Sequence, residues 1–420
     1  MKKIQLVIIL FLGAAASQKA YSQNNASPYS IIGIGDIENS YFDRSSGMAN
    51  SGTAISSSRY LYQSNPASYS SLDDHFFHVD VAARFKAVTY SGQPISSTTS
   101  NQSTDLQFKK ITTAIKLKKW WGISVGLLPF STANYSFYAA KPIQGTSITA
   151  NAYNEGSGST NQLYIANSFK INKNLSFGIQ SAYLFGQLQQ KETLMTTITD
   201  SLLTTTSNIF LSNLYFKSGL QYHTKISPAL SVSAGLTGSL QTKLRANTTL
   251  LVTSGNTTLV NNQEFKNDYF TLPVVYSGGL AATLHDKYTF SADYNFQSWS
   301  DLKYAGTGYV LTNSSRYSAG FEYSNKLRLR DQSFEKYFFQ AGLFYSDSYL
   351  KINGQQLNDL GGTIGAGFTP LRNPKLAVQG ALEIGKRGTT SNGLVKENYT
   401  QFTISVTYID FWFKQKKFYD

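Results

Sequence analysis

Phe76-Phe77-His78-Val79-Asp80-Val81-Ala82-Ala83-Arg84-Phe85-Lys86-Ala87 decides the fold of this chain. Phe77, Val79, Val81, Ala83, Phe85 and Ala87 alternate with His78, Asp80, Ala82, Arg84 and Lys86. Successive side chains of a β-strand point to opposite faces, so this segment has one wholly apolar face and one face bearing four ionisable groups. A helix would spread the same residues around its circumference. The pattern recurs far along the chain. Phe290, Ala292, Tyr294 and Phe296 oppose Ser291, Asp293, Asn295 and Gln297, and Phe402, Ile404, Val406 and Tyr408 oppose Gln401, Thr403, Ser405 and Thr407.

Working outward, fourteen such segments emerge. They lie near 76–90, 104–118, 120–138, 160–171, 174–191, 208–224, 229–250, 264–284, 287–303, 312–325, 335–349, 359–369, 374–387 and 398–413. Short connections with turn chemistry, such as Asn172-Lys173-Asn174 and His285-Asp286-Lys287, alternate with long Ser/Thr/Asn/Gly stretches at 91–103, 139–159, 192–207, 251–263 and 388–397. The segment Leu327–Phe334 is longer than its class of turn predicts. Strands of about ten residues or more, one apolar face, and turns of alternating length describe a transmembrane barrel. Lipid offers no water to backbone N–H and C=O groups, so such a sheet must close on itself. The expectation is an all-β fold: a 14-stranded antiparallel transmembrane β-barrel over 76–413.

Composition agrees. Charged residues are 15% of the 420 and aromatics 14%, a balance that suits one apolar and one polar face better than a soluble domain. Lys2 and Lys3, the apolar run Ile4–Ala16 and the small residues Ala20 and Ser22 form a secretory signal at 1–22, with cleavage before Gln23. The chain has no cysteine, which removes disulfides, thiolate chemistry and lipid attachment at the signal. Losing the signal lowers the formal charge from +13 to +10. In the cell envelope those cations meet lipid phosphates and line a lumen rather than bind nucleic acid. The aromatic end Phe411-Trp412-Phe413 followed by Lys414, Lys416 and Lys417 places a basic periplasmic tail at 414–420 beside the headgroups.

Residues 23–75 do not alternate. They hold Gly33, Gly35, Gly47 and Gly52 with Tyr29, Ile34, Phe42, Tyr60 and Leu61, too polar to span and too apolar for a tail. They read as an N-terminal plug within the barrel or a cap on its periplasmic mouth.

Here the residues resemble a known family. Gly47-Met48-Ala49, Gly52-Thr53-Ala54 and Asn65-Pro66-Ala67 are similar to the hatch of the long-chain fatty-acid transporter (FadL-like) outer-membrane barrels, and Asp293-Tyr294 through Trp299-Ser300 to one of their strand ends. The resemblance implies fourteen strands around an N-terminal hatch. It also implies passive uptake of hydrophobic small molecules through the lumen and a lateral opening. That family's third strand carries a kink at such an opening, and Pro129 falls in the third strand here. Proline cannot donate to a ladder, so it marks a bulge or a gap, and Leu128, Pro129 and Phe130 become the expected ligand path. Relatives in the type IX secretion system share the architecture but hold protein cargo. The alternative is therefore a non-transporting barrel subunit or scaffold of an envelope protein export or outer-membrane assembly complex.

No catalytic constellation stands out, and no cofactor is called for. His75 and His78 near Asp73, Asp74 and Asp80 are arranged too loosely for zinc, because His75 sits in a turn. Gly33-Ile34-Gly35-Asp36 lacks the lysine of a phosphate loop. The functional candidates are lumen-facing charges: Arg84, Lys86, Lys116, Lys118, Lys217, Arg316, Glu322 and Glu383. Expected partners are outer-membrane lipids, a hydrophobic small-molecule ligand and, under the alternative, other envelope proteins.

Overall fold

Backbone pairing in a closed ring is what the alternating segments produce. The computed structural model describes residues 27–92, 101–143, 145, 147, 149–195, 202–306, 308–329, 332–370 and 373–411. The expected signal at 1–22, the cut before Gln23 and the tail at 414–420 lie outside the described residues. The barrel strands are β1 (Phe76–Gly92), β2 (Gln102–Lys118), β3 (Trp121–Thr132, resuming at Tyr135–Pro142), β4 (Thr149–Lys170) and β5 (Leu175–Met195). There follow β6 (Leu203–Lys225), β7 (Leu230–Ser239 and Thr242–Ser254), β8 (Thr257–Leu272 and Val275–Leu284) and β9 (Tyr288–Gln297). The wall ends with β10 (Ser314–Leu329), β11 (Gln332–Ile352), β12 (Gln355–Phe368), β13 (Leu376–Arg387) and β14 (Val395–Phe411). Each pairs antiparallel with the next, and β14 pairs with β1 from Phe411↔Phe76 to Val395↔Gly92, which closes the ring.

The faces sort as the alternation requires. Leu106, Leu163, Ile179, Leu214, Leu236, Leu280, Leu343, Ile364 and Phe402 lie exposed on the outside, which only lipid makes favourable. His78, Asp80, Ser124, Gln180, Thr237, Ser291, Gln340 and Ser405 are buried inside. Tight turns close one end. Between paired Leu284 and Tyr288, His285 and Asp286 take φ of 53° and 54° and Lys287 N–H donates to the Leu284 carbonyl at 3.0 Å, a left-handed pair that matches strand twist. By the rule for such barrels the short-turn end faces the periplasm.

The other end differs from expectation. The described residues of the stretches 139–159, 192–207 and 251–263 are largely strand: β4 starts at Thr149, β5 runs to Met195 and β7 to Ser254. Here polar residues stand on both faces, Thr149 and Asn151 on the exposed one and Asn154 on the buried one, so there is no apolar-polar alternation to read, although β-branched Thr suits a pleated surface. At the short-turn end the ladder also continues from Lys326↔Glu335 to Leu329↔Gln332.

Residues 27–75 lie inside the ring. Three short 3-10 turns, Pro28–Ile31, Arg44–Met48 and Pro66–Ser71, are each started by a side chain (Ser27, Asp43, Asn65) that accepts a backbone N–H two residues on. This plug lies so close to the wall that inward positions under it are glycine. A methyl at Gly178 would stand 2.3 Å from the Pro66 carbonyl carbon, and one at Gly219 2.0 Å from Asn65 Oδ1. At the long-hairpin end an apolar cluster seals the lumen, with plug residues Tyr29 and Ile34 among Leu184, Leu211, Leu244, Leu272, Trp299 and Leu350.

Gly178→Val should therefore leave a barrel that still shifts on unheated gels, while displacing the hatch at a cost of about 1–3 kcal/mol. Protease added to unheated, detergent-solubilised protein should then cut residues 27–75 of the variant and spare those of the wild type. Equal resistance would mean that the hatch does not depend on this contact.

Candidate functional site

The plug is fastened at two levels, and the lower one is centred on Arg44. Its guanidinium donates to Glu322 on β10 at 2.6 and 2.9 Å and to Glu335 on β11 at 2.7 Å twice. It lies between two rings, 4.3 Å from the centroid of Tyr60 and 3.9 Å from that of Phe338. Burial works against the charge on Arg44, but the two carboxylates outweigh it and hold the guanidinium ionised. Tyr60 Oη and Ser324 Oγ also donate to Glu335, and Gln340 Nε2 donates to Glu322. Glu322 was legible from alternation; Glu335 was not. Counting back from inward Phe338 and Gln340 points Glu335 outward, and a bulge at Asn325/Lys326 turns it in.

The hatch motif sits on the opposite wall. Asn65 Nδ2 donates to the carbonyls of Thr53 and Leu220, both at 3.0 Å, while its Oδ1 accepts from Ala67 N–H. Ser168 Oγ on β4 donates to the Ala67 carbonyl at 2.7 Å. Lys217 donates to Tyr41 Oη at 2.9 Å and to the Ser64 carbonyl, and Lys116 pairs with Asp74 at 3.0 Å. A bulge in the β1–β2 ladder at Ala82/Ala83 turns both Lys109 and Lys110 inward, two adjacent lysines that strict alternation would separate. Lys110 pairs with Asp80.

The upper fastening is an arm, residues 27–39. Tyr29 Oη donates to the Val395 carbonyl at 2.6 Å, and Arg387 pairs with Asp36 at 2.8 Å. Glu38 meets Arg84 at 3.0 Å and Lys109 at 3.7 Å. Burial opposes ionisation of Glu38, yet Arg84 and Lys109 overcome it and hold the carboxyl below its ordinary range. Three expected lumen charges take other roles. Arg316 stacks 4.0 Å over Phe344 and Lys86 lies 5.3 Å from the Tyr399 centroid, neither with an ion pair among the described residues. Glu383 accepts from Tyr399 Oη at 3.3 Å. Lys118 is a correction: it is exposed at the last position of β2, beside Trp120, rather than lining the lumen. His78 is buried with Nδ1 3.0 Å from the Arg59 carbonyl, and no group of three metal-ligating side chains stands together among the described residues.

The arm lies where the wall is interrupted. The β2–β3 ladder runs from Lys118↔Trp121 to Ile111↔Leu127 and ends there. Continued, it would set Lys110 opposite Leu128 and Leu106 opposite Thr132. Instead β3 turns its edge to the plug: Ser131 pairs with Ile37, Thr132 with Asp36, and Glu38 N–H donates to the Phe130 carbonyl at 2.9 Å. On its other side β3 stays paired with β4, with a bulge between Pro129 and Ser131. Of the two meanings a proline could have here, the position carries both: a bulge on one side and a ladder break on the other. Gly35, at φ 89°, brings the arm so near that a methyl would meet the Thr132 carbonyl oxygen at 2.6 Å.

Two cavities flank the arm. One, of about 160 Å³, is lined by Pro129, Phe130, Tyr215, Lys217, Trp299 and Arg316 among others. The second, of about 130 Å³, is lined chiefly by charge, including Arg84, Lys86, Lys109, Asp359, Glu383 and Arg387. Both are smaller than the pockets of 300 Å³ or more that usually hold small-molecule ligands.

The family model BamG matches residues 1–419. No curated protein sequence matches the chain. A Pseudomonas aeruginosa FadL homologue superposes with a TM-score of 0.60 at 12% identity, over 88% of this chain and 98% of that one. The CymD monoaromatic hydrocarbon channel gives 0.57 at 14%, over 87% and 96%. The Pseudomonas putida toluene transporter TodX gives 0.55 at 15%, over 91% and 100%. At these identities the likeness is one of fold, and it is the fold of outer-membrane barrels.

Arg44→Leu leaves Glu322 and Glu335 facing each other in a buried site and should lower stability by about 3–5 kcal/mol in denaturant titrations of the micellar protein. A loss below about 1 kcal/mol would mean that the cluster does not hold the plug. Glu38 has its pKa depressed on folding, so its contribution is complete above the ordinary carboxylate range and disappears as pH falls through the depressed value. A spin label at Asn39 should be immobile at neutral pH and become mobile only in acid. In Glu38→Gln it should be mobile throughout, and pH-independent immobility in both would remove the ion pair from the account.

Proposed function

This chain belongs to the BamG family, and from that premise we propose that it is a non-conducting outer-membrane barrel, a subunit or scaffold of an envelope protein export or assembly complex. One observation carries the reading: the lumen is filled. The plug is tied by buried ion pairs to β1, β2, β10, β11 and β13, and an apolar cluster seals the long-hairpin end. A conduit for apolar molecules needs a continuous apolar interior path, whereas the two cavities beside the plug are about 160 and 130 Å³, and the second is lined largely by charged groups. With its interior committed to holding itself rigid, the barrel has its wall and tall hairpins left as working surfaces. Strands of 22, 21 and 23 residues in β4, β5 and β6 supply such a surface, since about ten suffice to cross the bilayer.

Passive uptake of hydrophobic small molecules, to which the resemblance pointed first, is the second reading. The ladder break beside Leu128, Pro129 and Phe130 favours it, as does the fold shared with proteins described as a hydrocarbon channel and a toluene transporter. Neither reading involves catalysis or a cofactor.

The two part in one pair of measurements. Under the scaffold reading, the intact protein in planar bilayers gives no conductance steps, and gentle extraction co-purifies other envelope proteins in constant ratio. Cells lacking the protein then fail to display particular outer-membrane or secreted proteins. If such cells instead keep a normal envelope and lose uptake of toluene or a fluorescent fatty acid, the uptake reading takes over.

A further inference from the structure

We propose that the edge of β3 at Leu128–Thr132 is a docking site for an extended strand of another outer-membrane polypeptide, entering sideways between β2 and β3 and displacing the plug's Asp36–Ile37. The inference rests on the scaffold reading and gives it a place and a partner class.

The edge already binds a strand. Asp36 and Ile37 pair with Thr132 and Ser131, and Glu38 N–H reaches the Phe130 carbonyl, so what this surface recognises is backbone in β conformation. The resident strand is minimal. It supplies two rungs, and Leu128 and Pro129 take none from it. Its polar ties are Glu38 to Arg84 and Lys109, Asp36 to Arg387, and the hydrogen bonds from Ser131 Oγ to the Ile34 carbonyl and from Tyr349 Oη to the Gly35 carbonyl, all separate from the Arg44 cluster. The arm can therefore leave this edge while the rest of the plug stays anchored to Glu322 and Glu335.

The slot's two sides fix the character of what fits. Toward the membrane it is flanked by Leu106 and Phe108, 70% and 65% exposed, and by exposed Leu127. Toward the lumen it meets Asp105, Lys109 and Glu38 at the edge of the charged cavity. A segment alternating apolar and polar residues satisfies both sides at once, and that alternation defines a membrane-spanning strand. A lipid chain or hydrocarbon would cover the apolar flank but leave β3 carbonyl and N–H groups without partners in lipid.

The test uses the absence of native cysteine. In the full-length protein in cells, the photo-crosslinking residue p-benzoylphenylalanine replaces Leu106, with a control at Leu343 on the far wall. A second pair, Ile37→Cys with Ser131→Cys, whose Cα positions are ladder partners, locks the arm down when oxidised. Polypeptide adducts are expected at Leu106 but not at Leu343. Locking should cut their yield about tenfold or more, because a docking edge that is seldom free binds in proportion to its free fraction, and reduction should restore it. Adducts to lipid alone, or polypeptide adducts indifferent to the lock, would overturn the proposal. The two readings fail separately. If envelope proteins co-purify in constant ratio yet no polypeptide is captured at Leu106, the docking site is wrong and the scaffold reading stands. If nothing co-purifies at all, the scaffold reading falls with it.

Discussion

Every backbone polar group that crosses lipid must find its partner in protein, and the rest of the structure follows from that constraint. It demands closure, which the β14–β1 ladder provides. It demands two unlike faces, hence the strict alternation of Phe77–Ala87 and its counterparts. It also makes any interruption of the ladder costly, so an interruption calls for an explanation. The break between β2 and β3 is answered from inside, by a plug strand that takes up part of the edge the wall leaves open.

The interior solves a different problem. A ring of fourteen strands is too wide to be filled by its own side chains, and what fills it here is the chain's own polar N-terminal segment. Burying charge is unfavourable unless partners and hydrogen bonds are complete. Arg44 meets that condition, with two carboxylates, two flanking rings and supporting donors from Tyr60, Ser324 and Gln340. Arg316 does not, having a ring but no ion pair among the described residues. Glycine at Gly178 and Gly219 lets plug backbone lie directly on wall backbone.

Most of the fold was legible because its period is short and its constraint local. All fourteen strands were placed, as were the inward faces of Arg84, Lys86, Lys217 and Glu322. What could not be read has a common cause, which is that alternation carries information only where the two faces meet different solvents and only until a bulge resets it. Outer hairpins with polar residues on both faces read as loop. Glu335 and Lys109 were missed because single-residue bulges reverse or double the inward side. The mid-strand glycines Gly178 and Gly219 gained a role only in the structure, because one sequence does not say which backbone approaches them.

Pro129 shows how a local feature gains its meaning from two neighbours. Proline in a spanning strand requires that one ladder tolerate a missing donor, and the bulge against β4 meets that need. The same bulge leaves Phe130 as an extra residue, and its carbonyl is taken by Glu38 N–H from the plug. The proline, the bulge and the arm therefore form one unit: the residue that disturbs pairing on one side helps turn the other edge inward to the plug. A wall built only for strength would have continued the β2–β3 ladder through Leu106–Lys110. This one gives up those rungs beside Pro129 and covers the place with two rungs of plug strand, which makes the break a feature of the design of the barrel.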